Sequence, residues 1–258
     1  MQNVAPPIFY TPGGTLFSDI RIGTHNGAPA YFMTLRDGAN LEGFYTIYAD
    51  GHLQLILRHR RPLSPGDRPF DGFTFVLDPG HGKADPGALG PMGGQMPEAT
   101  IAMRQTEFLS TQLETLGANV VFTHKYGLFG STRFEVWDRV PISRAANPDM
   151  FISLHTNSTA ETTNAANIRG FTVWFRNENS RPAANTFMDV MHYVNPDTNR
   201  SRQVNQANFY VTRPTWSPHI LLEASFTNNI HDFSWMIDPR NQEEYARQIV
   251  NALLAYYR

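Results

Sequence analysis

The sequence predicts an α/β protein in which a mostly parallel, twisted sheet of about six strands carries helices on both faces, preceded by a small β-rich N-terminal domain. From Phe73 onward, short apolar runs alternate with stretches of helical length, the pattern of βαβ units. Up to Leu57, polar residues instead alternate with β-branched or aromatic ones. Between these regions, "RRPLSPGDRPFDG" is rich in proline and glycine, which is typical of a linker. We therefore predict two domains, residues 1–68 and 69–258.

The N-terminal region predicts short antiparallel strands. The segments "APAYFMTL" and "GFYTIYADGHLQLILRH" alternate as half-buried strands do, and Asp37-Gly38 and Asp50-Gly51 are turn signals. The role of this domain stays open: it could bind a polymer, pack beside the second domain, or belong to a larger upstream region.

The second domain is predicted from the alternation of strands and helices along the chain. The predicted strands are Phe73 to Leu77, Asn119 to Thr123, Met150 to Leu154, Gly170 to Phe175, Asn208 to Thr212 and His219 to Ala224. The predicted helices are Pro97 to Leu116, Phe134 to Ala146, Pro182 to Tyr193 and Asn241 to Tyr257. Pro141 is a weak point of the second helix, because an internal proline removes a backbone hydrogen bond.

Composition excludes several functional classes. Lys and Arg number 21 against 23 Asp and Glu, so no basic field is available for nucleic acid. The chain has no cysteine, which leaves His, Asp and Glu as metal ligands and excludes a cysteine nucleophile. No apolar run approaches the roughly 20 residues of a membrane span, and we see no secretory signal peptide in this chain.

Four polar residues occupy corresponding places around the predicted sheet. His81 follows the first parallel strand, His155 follows "MFISL" and Glu223 ends "HILLE", while Glu98 opens the first long helix. Ligands bind in the crevice outside the carboxyl ends of parallel strands, so these side chains are expected to converge. Two histidines and two carboxylates in a crevice have the composition of a catalytic zinc site.

Each of these residues also has an ordinary structural interpretation. A lone loop histidine is more often a turn residue than a ligand, and Glu98 alone would be a favourable charge at a helix start. Glu223 differs, because a carboxylate directly after "ILL" is costly to bury unless it is paired or close to a metal. Asp78, Asp85 and Asn157 lie close enough in sequence to orient an imidazole, and Arg139 could bridge a carboxylate or carbonyls.

Several motifs resemble those of one family, in the same order. "LDPGHGKADPGALG", "GGQMPEATIA", "RVPISRAANPDMFISLHTNS", "QANFYVTR" and "PHILLEASFTNN" are similar to motifs of the zinc-dependent N-acetylmuramoyl-L-alanine amidases of the amidase-3 type. The resemblance covers about Phe73 to Arg258. It implies that "QANFYVTR" and "PHILLEASFTNN" form the last two strands of the sheet.

The resemblance also implies a function. His81, Glu98 and His155 would bind Zn²⁺, and Glu223 would be the catalytic acid and base. The reaction would be hydrolysis of the amide bond between N-acetylmuramic acid and L-alanine in peptidoglycan, which serves cell wall degradation or remodelling. Peptidoglycan as the partner places the protein in the cell envelope or outside the cell.

Two other functions remain open at this point. One is a non-catalytic peptidoglycan-binding module of the same fold. The other is a zinc peptidase that cuts elsewhere in the stem peptide, with the same metal chemistry and a different pocket. The sequence does not decide the oligomeric state.

Overall fold

The computed structural model describes residues 16–82, 85–92, 94–125, 135–159, 167–191 and 203–258. The strands are β1 (Phe17–His25), β2 (Ala28–Leu35), β3 (Leu41–Ala49), β4 (His52–His59), β5 (Thr74–Pro79), β6 (Asn119–Phe122), β7 (Met150–Asn157), β8 (Thr172–Phe175), β9 (Gln203–Gln206) and β10 (His219–Phe226). The helices are α1 (Glu98–Thr115), α2 (Val136–Ala146), α3 (Arg181–Val190), α4 (Ile230–Ile237) and α5 (Pro239–Tyr257).

The N-terminal strands form two hairpins, as the alternation of residues predicts. β1 pairs with β2 in antiparallel register, and the turn residues Asn26 and Gly27 have φ angles of 50° and 78°. β3 pairs with β4, and the predicted turn at Asp50 and Gly51 has φ angles of 53° and 76°. Successive left-handed residues are what a two-residue hairpin turn needs.

The chain forms two compact units, and its division into domains 1–68 and 69–258 stays a prediction. One unit ends at Leu41, and the other extends from Glu42 to Arg258, so β3 and β4 belong with the α/β part. Asn179 Nδ2 donates to the Glu42 carbonyl (2.9 Å), and Arg58 Nη1 donates to the Pro148 carbonyl (2.6 Å). A two-stranded hairpin has no core of its own, so packing against the α/β part stabilises it.

The central sheet has six strands in the order β6-β5-β7-β10-β8-β9. β6, β5, β7 and β10 run parallel, β8 is antiparallel to β10, and β9 is parallel to β8. The predicted mostly parallel sheet is therefore confirmed. Because β5, β7 and β10 are adjacent and parallel, their carboxyl ends meet at one edge.

Helices cover both faces of this sheet. The larger core includes Phe75 and Leu77 of β5 and packs under α1, α3, α4 and α5. Val76, between them in sequence, belongs to a smaller cluster on the other face, where Ala146 of α2 packs. Among the described residues, no helix combines the length and the apolar character needed to cross a bilayer.

The predicted strand Asn208 to Thr212 is wrong. Tyr210–Thr212 form a 3₁₀ turn, and the edge strand is the more polar Gln203–Gln206, just before it. Asn177 Nδ2 donates to the carbonyls of Arg213 (2.7 Å) and Pro214 (3.1 Å), so side-chain bonds replace a strand ladder here. Of the two implied last strands, only that of "PHILLEASFTNN" is present.

Two helices also differ from expectation. α4 was not predicted, although Asn229 caps it by accepting from the amides of His231 and Asp232, a capping pattern readable in sequence. α2 contains Pro141 and still forms one helix. The predicted start of α2 at Phe134 and the predicted end of α3 at Tyr193 lie outside the described residues.

Candidate metal centre and active site

The site lies at the carboxyl edge of the parallel strands. Pro79, the last residue of β5, is paired in register with Leu154 of β7. His155 of β7 is in turn paired with Glu223 of β10. The strand order therefore brings the ends of "VLDP", "FISLH" and "ILLE" side by side, as the parallel topology predicts.

After β5 the chain turns sharply over the His155 ring. His81 has a φ of 59°, in the left-handed region that side chains with a Cβ rarely adopt. A Cβ on Gly80 would lie 2.6 Å from His155 Nδ1, so glycine is the residue that lets the backbone pass here. The turn directs the His81 imidazole toward His155, and the two ring centroids are 4.8 Å apart.

Glu98 completes the group from the start of α1. Its Oε1 lies 3.1 Å from His81 Nε2 and 3.1 Å from His155 Nδ1. The backbone amides of Thr156 (2.9 Å) and Ala88 (3.1 Å) donate to its two oxygens, which holds the carboxylate in one orientation.

The donor set fits zinc. One ligand atom from each of His81, Glu98 and His155 lies within 4.8 Å of the other two, and this is the group of possible metal ligands found among the described residues. Ligands at about 2.0 to 2.1 Å from a tetrahedral Zn²⁺ are roughly 3.3 to 3.4 Å apart, close to the distances from Glu98. Two imidazoles and one carboxylate leave a fourth position for water or substrate.

Asp85 orients one of the imidazoles. Its Oδ2 lies 2.8 Å from His81 Nδ1, so a proton on Nδ1 leaves Nε2 free to bind a metal. Gly87 follows with a φ of 65°, and a Cβ there would lie 2.7 Å from both Glu98 Oε2 and His81 Cδ2. Two glycines of the motif are thus required by the space that the histidines and Glu98 occupy.

The electrostatics of the cluster are strongly coupled. Burial alone would lower the pKa of His81, but the hydrogen bonds to Glu98 and Asp85 outweigh burial and raise this pKa to about 9. Burial alone would raise the pKa of Glu98, but the two imidazoles hold it well below its usual range. A negative carboxylate between two imidazoles favours positive charge here, carried by a second proton on His81 or, once that proton leaves, by a bound cation.

Glu223 lies beside this cluster and is chemically different. Burial raises the pKa of its carboxyl to about 7, with the nearby Glu98 charge adding to the effect and the histidines opposing it. Its Oε2 is buried and has no hydrogen-bond partner among the described residues. A carboxyl whose pKa lies near neutrality is suited to exchange protons with a reacting group.

A cavity of about 290 Å³ opens onto the two histidines. One wall comes from Glu135 and Val136 at the start of α2, and the other from the turn after β9. The cavity is lined by Asp78, His81, Gly82, Asp85, Glu135, Val136, Arg139, His155, Phe209, Tyr210, Val211 and Leu221. The segment Asn208 to Thr212, which was predicted as a strand and is a turn, thus forms part of this pocket.

The supporting residues have distinct partners. Asp85 contacts His81, as the sequence suggested, whereas Asn157 Nδ2 donates to Thr172 Oγ1 (3.0 Å). Asp78 accepts from Arg139 (2.7 Å), so Arg139 bridges a carboxylate as expected. Phe209 and Tyr210 were not predicted to line the site, and their motif "QANFYVTR" was the available signal.

Comparisons with known proteins identify the family of this chain. Residues 75–255 match the Amidase_3 family, described as N-acetylmuramoyl-L-alanine amidase. YqiI, an uncharacterized protein of Bacillus subtilis (strain 168), is 29% identical over 200 residues, covering 76% of this chain and 90% of YqiI. The probable cell wall amidase LytH of Staphylococcus aureus is 29% identical over 189 residues, or 73% of this chain; the matched part is 60% of LytH.

A solved structure also resembles this chain. The N-acetylmuramoyl-L-alanine amidase AmiC2 of Nostoc punctiforme superposes with a TM-score of 0.63 and 26% identity. The similarity covers 72% of this chain and 98% of AmiC2. The likeness extends over the whole of the compared domain.

Proposed function

This chain belongs to the N-acetylmuramoyl-L-alanine amidase family, and on that premise we propose that it is a zinc-dependent amidase in which His81, Glu98 and His155 hold the metal and Glu223 is the catalytic acid and base. Its substrate is peptidoglycan, and the bond cleaved is the amide between N-acetylmuramic acid and L-alanine. Action on this polymer places the protein in the cell envelope or outside the cell. The convergence of three donor atoms beside Glu223 is the observation that carries the proposal.

The ligand set accounts for the metal. When bound, zinc lowers the pKa of its water to about 7, polarises the scissile carbonyl and stabilises the developing oxyanion. His81 presents Nε2 and His155 presents Nδ1, so the two rings approach from different directions. Glu98 would supply a negative charge that partly offsets that of the cation, while backbone amides keep its carboxylate fixed.

Glu223 moves the proton. Its carboxylate accepts a proton from the attacking water as the new carbon–oxygen bond forms. It then donates that proton to the amide nitrogen as the carbon–nitrogen bond breaks, so the leaving group is the neutral amine of L-alanine. Glu223 lies on β10 in register with His155, so its carboxyl would lie beside a metal held by His155.

Purified sacculi are the substrate that tests this proposal. We expect digestion to release peptides with a free L-alanine amino terminus and to leave glycan with free lactyl carboxyl groups, both identified by mass spectrometry. New termini within the stem peptide would instead indicate a zinc peptidase. Binding to sacculi without any product would indicate a binding module.

Metal content is the second measurement. Protein purified without chelator is expected to contain one zinc per chain, and dialysis against a chelator is expected to abolish release of L-alanine termini. Zinc should restore the release. Full activity in metal-free protein would contradict the proposal.

A further inference from the structure

Arg139 of α2 crosses to the loop that carries His81. Its Nη1 donates to Asp78 Oδ1 (2.7 Å) and to the Pro79 carbonyl (2.7 Å), and its Nη2 donates to the His81 carbonyl (2.6 Å). One guanidinium therefore holds the backbone on both sides of Gly80. The side chain is only 7% exposed, so these bonds are made away from competing water.

Asp78 fixes the guanidinium in turn. The Asp78 carboxylate is fully buried. Thr123 Oγ1 donates to its Oδ1 (2.6 Å), and Ser153 Oγ donates to its Oδ2 (2.6 Å). Thr123 follows β6 and Ser153 lies on β7, so the carboxylate that receives Arg139 is tied to the strands on both sides of β5.

The His81 backbone needs such support. A left-handed φ of 59° is disfavoured for a residue with a Cβ. Asp85 orients the imidazole, but it lies in the same loop as His81. It therefore cannot by itself hold that loop in position relative to β7. The hydrogen bond from Arg139 to the His81 carbonyl, by contrast, connects His81 directly to α2.

We propose that Arg139 is a positioning residue for the metal site: it holds the His81 backbone in the left-handed conformation that directs Nε2 toward Glu98 and His155. This inference rests on the proposed role of His81 as a zinc ligand. A planar guanidinium can reach a carboxylate and two carbonyls at once, whereas a lysine ammonium is a single point charge. The Arg139 side chain therefore acts on the metal through His81.

Arg139→Lys is the informative variant, because it keeps a positive charge opposite the buried Asp78. Zinc binding would be measured by competition with a chromogenic zinc chelator. We expect the dissociation constant for zinc to rise about 10- to 100-fold, the range found for groups that orient metal ligands. Arg139→Gln is a second variant, for which we expect the same rise in the dissociation constant. Its side chain has no charge with which to bind substrate.

Arg169→Lys is the matched control. Arg169 pairs with Asp232 at the same 2.7 Å, and the Asp232 carboxylate is likewise fully buried, but this pair lies at the start of α4. Urea unfolding of the metal-free variants would compare their stabilities. We expect both lysine variants to lose stability and only the Arg139 variant to lose zinc affinity.

Two results would overturn the inference. One is an unchanged zinc affinity in Arg139→Lys, and the other is an equal loss of affinity in Arg169→Lys. An Arg139 variant with normal zinc affinity and a raised KM for muramoyl-peptide would make Arg139 a substrate contact instead. A parent protein that bound no zinc would contradict the proposed function, whereas the results above concern Arg139 alone. The two failures are therefore distinguishable.

Discussion

Two regions of the larger unit contain histidines next to or within β10, and the imidazoles have opposite properties. At the carboxyl edge, His81 and His155 contact the Glu98 carboxylate. At the other end of the sheet, His219 is fully buried and stacks on Phe151, and its ring nitrogens hydrogen-bond to neutral groups, Ser143 Oγ (3.0 Å) and the Ser217 carbonyl (2.9 Å). Burial lowers the pKa of His219 to about 4, whereas that of His81 is raised to about 9.

The difference shows which of these histidines could bind a metal. A carboxylate beside a partly exposed imidazole supplies the negative charge that attracts a cation to the ring nitrogen. Hydroxyl and carbonyl partners instead satisfy both ring nitrogens of a neutral imidazole and leave no lone pair for a metal. His219 is therefore a structural residue, whereas Glu223, four residues along the same strand, is paired in register with His155.

Removing a histidine from the carboxyl edge is expected to have the largest effect. His155→Ala or His81→Ala deletes one of three donors, so zinc content after dialysis should fall to near zero and amide cleavage should become undetectable. Elemental analysis and release of L-alanine termini measure the two effects. The exposed His231→Ala is the control, and a full equivalent of zinc in His155→Ala would contradict the assignment.

Glu223→Gln separates catalysis from metal binding. The amide has nearly the same shape but cannot carry the proton, and general acid and base help is worth about 10² to 10⁴ in rate. We expect kcat to fall by that factor with zinc content unchanged. Exposed Glu243→Gln should behave as the parent. Near-parent turnover in Glu223→Gln would remove Glu223 from the reaction.

Removing the metal should destabilise the parent protein but not a variant that lacks one of the three ligands. A ligand present at about 1,000 times its dissociation constant stabilises the folded state by ~4 kcal/mol. Urea unfolding of the parent with excess zinc and with chelator should differ by about that free energy. In His155→Ala the difference should disappear, and a difference of the same size there would place the metal elsewhere.

His219 should make the free energy of unfolding depend on pH. An unfolded histidine, with a pKa near 6.5, binds a proton that folded His219 excludes down to about pH 4. The unfolded state therefore binds more protons below pH 6.5, and stability falls as pH decreases, by about 2 kcal/mol from pH 7.5 to 5. Urea unfolding of the parent and of His219→Gln at several pH values isolates the contribution of His219 to this pH dependence. Parallel profiles of unfolding free energy against pH would contradict the prediction.

Much of the fold and site could be predicted from local patterns. Apolar runs and turn residues predict where β5, β7 and β10 end, and His81, His155 and Glu223 follow because they stand at those ends. The edge strand could not be predicted this way. "NFYVT" has the residue types of a strand, but Asn177 and packing near the cavity hold it as a turn, while the polar Gln203–Gln206 pairs with β8.

The sequence by itself determined the order of elements and which strand end each candidate occupies, because periodicity and turn residues act over a few neighbouring positions. Only the tertiary structure decided that Glu98 lies between the two imidazoles, that Arg139 holds the His81 carbonyl, and that Glu223 has a pKa near 7. Those properties depend on distances between atoms far apart in the chain. Such distances are set by how helices and loops pack over the sheet, and no local pattern contains them.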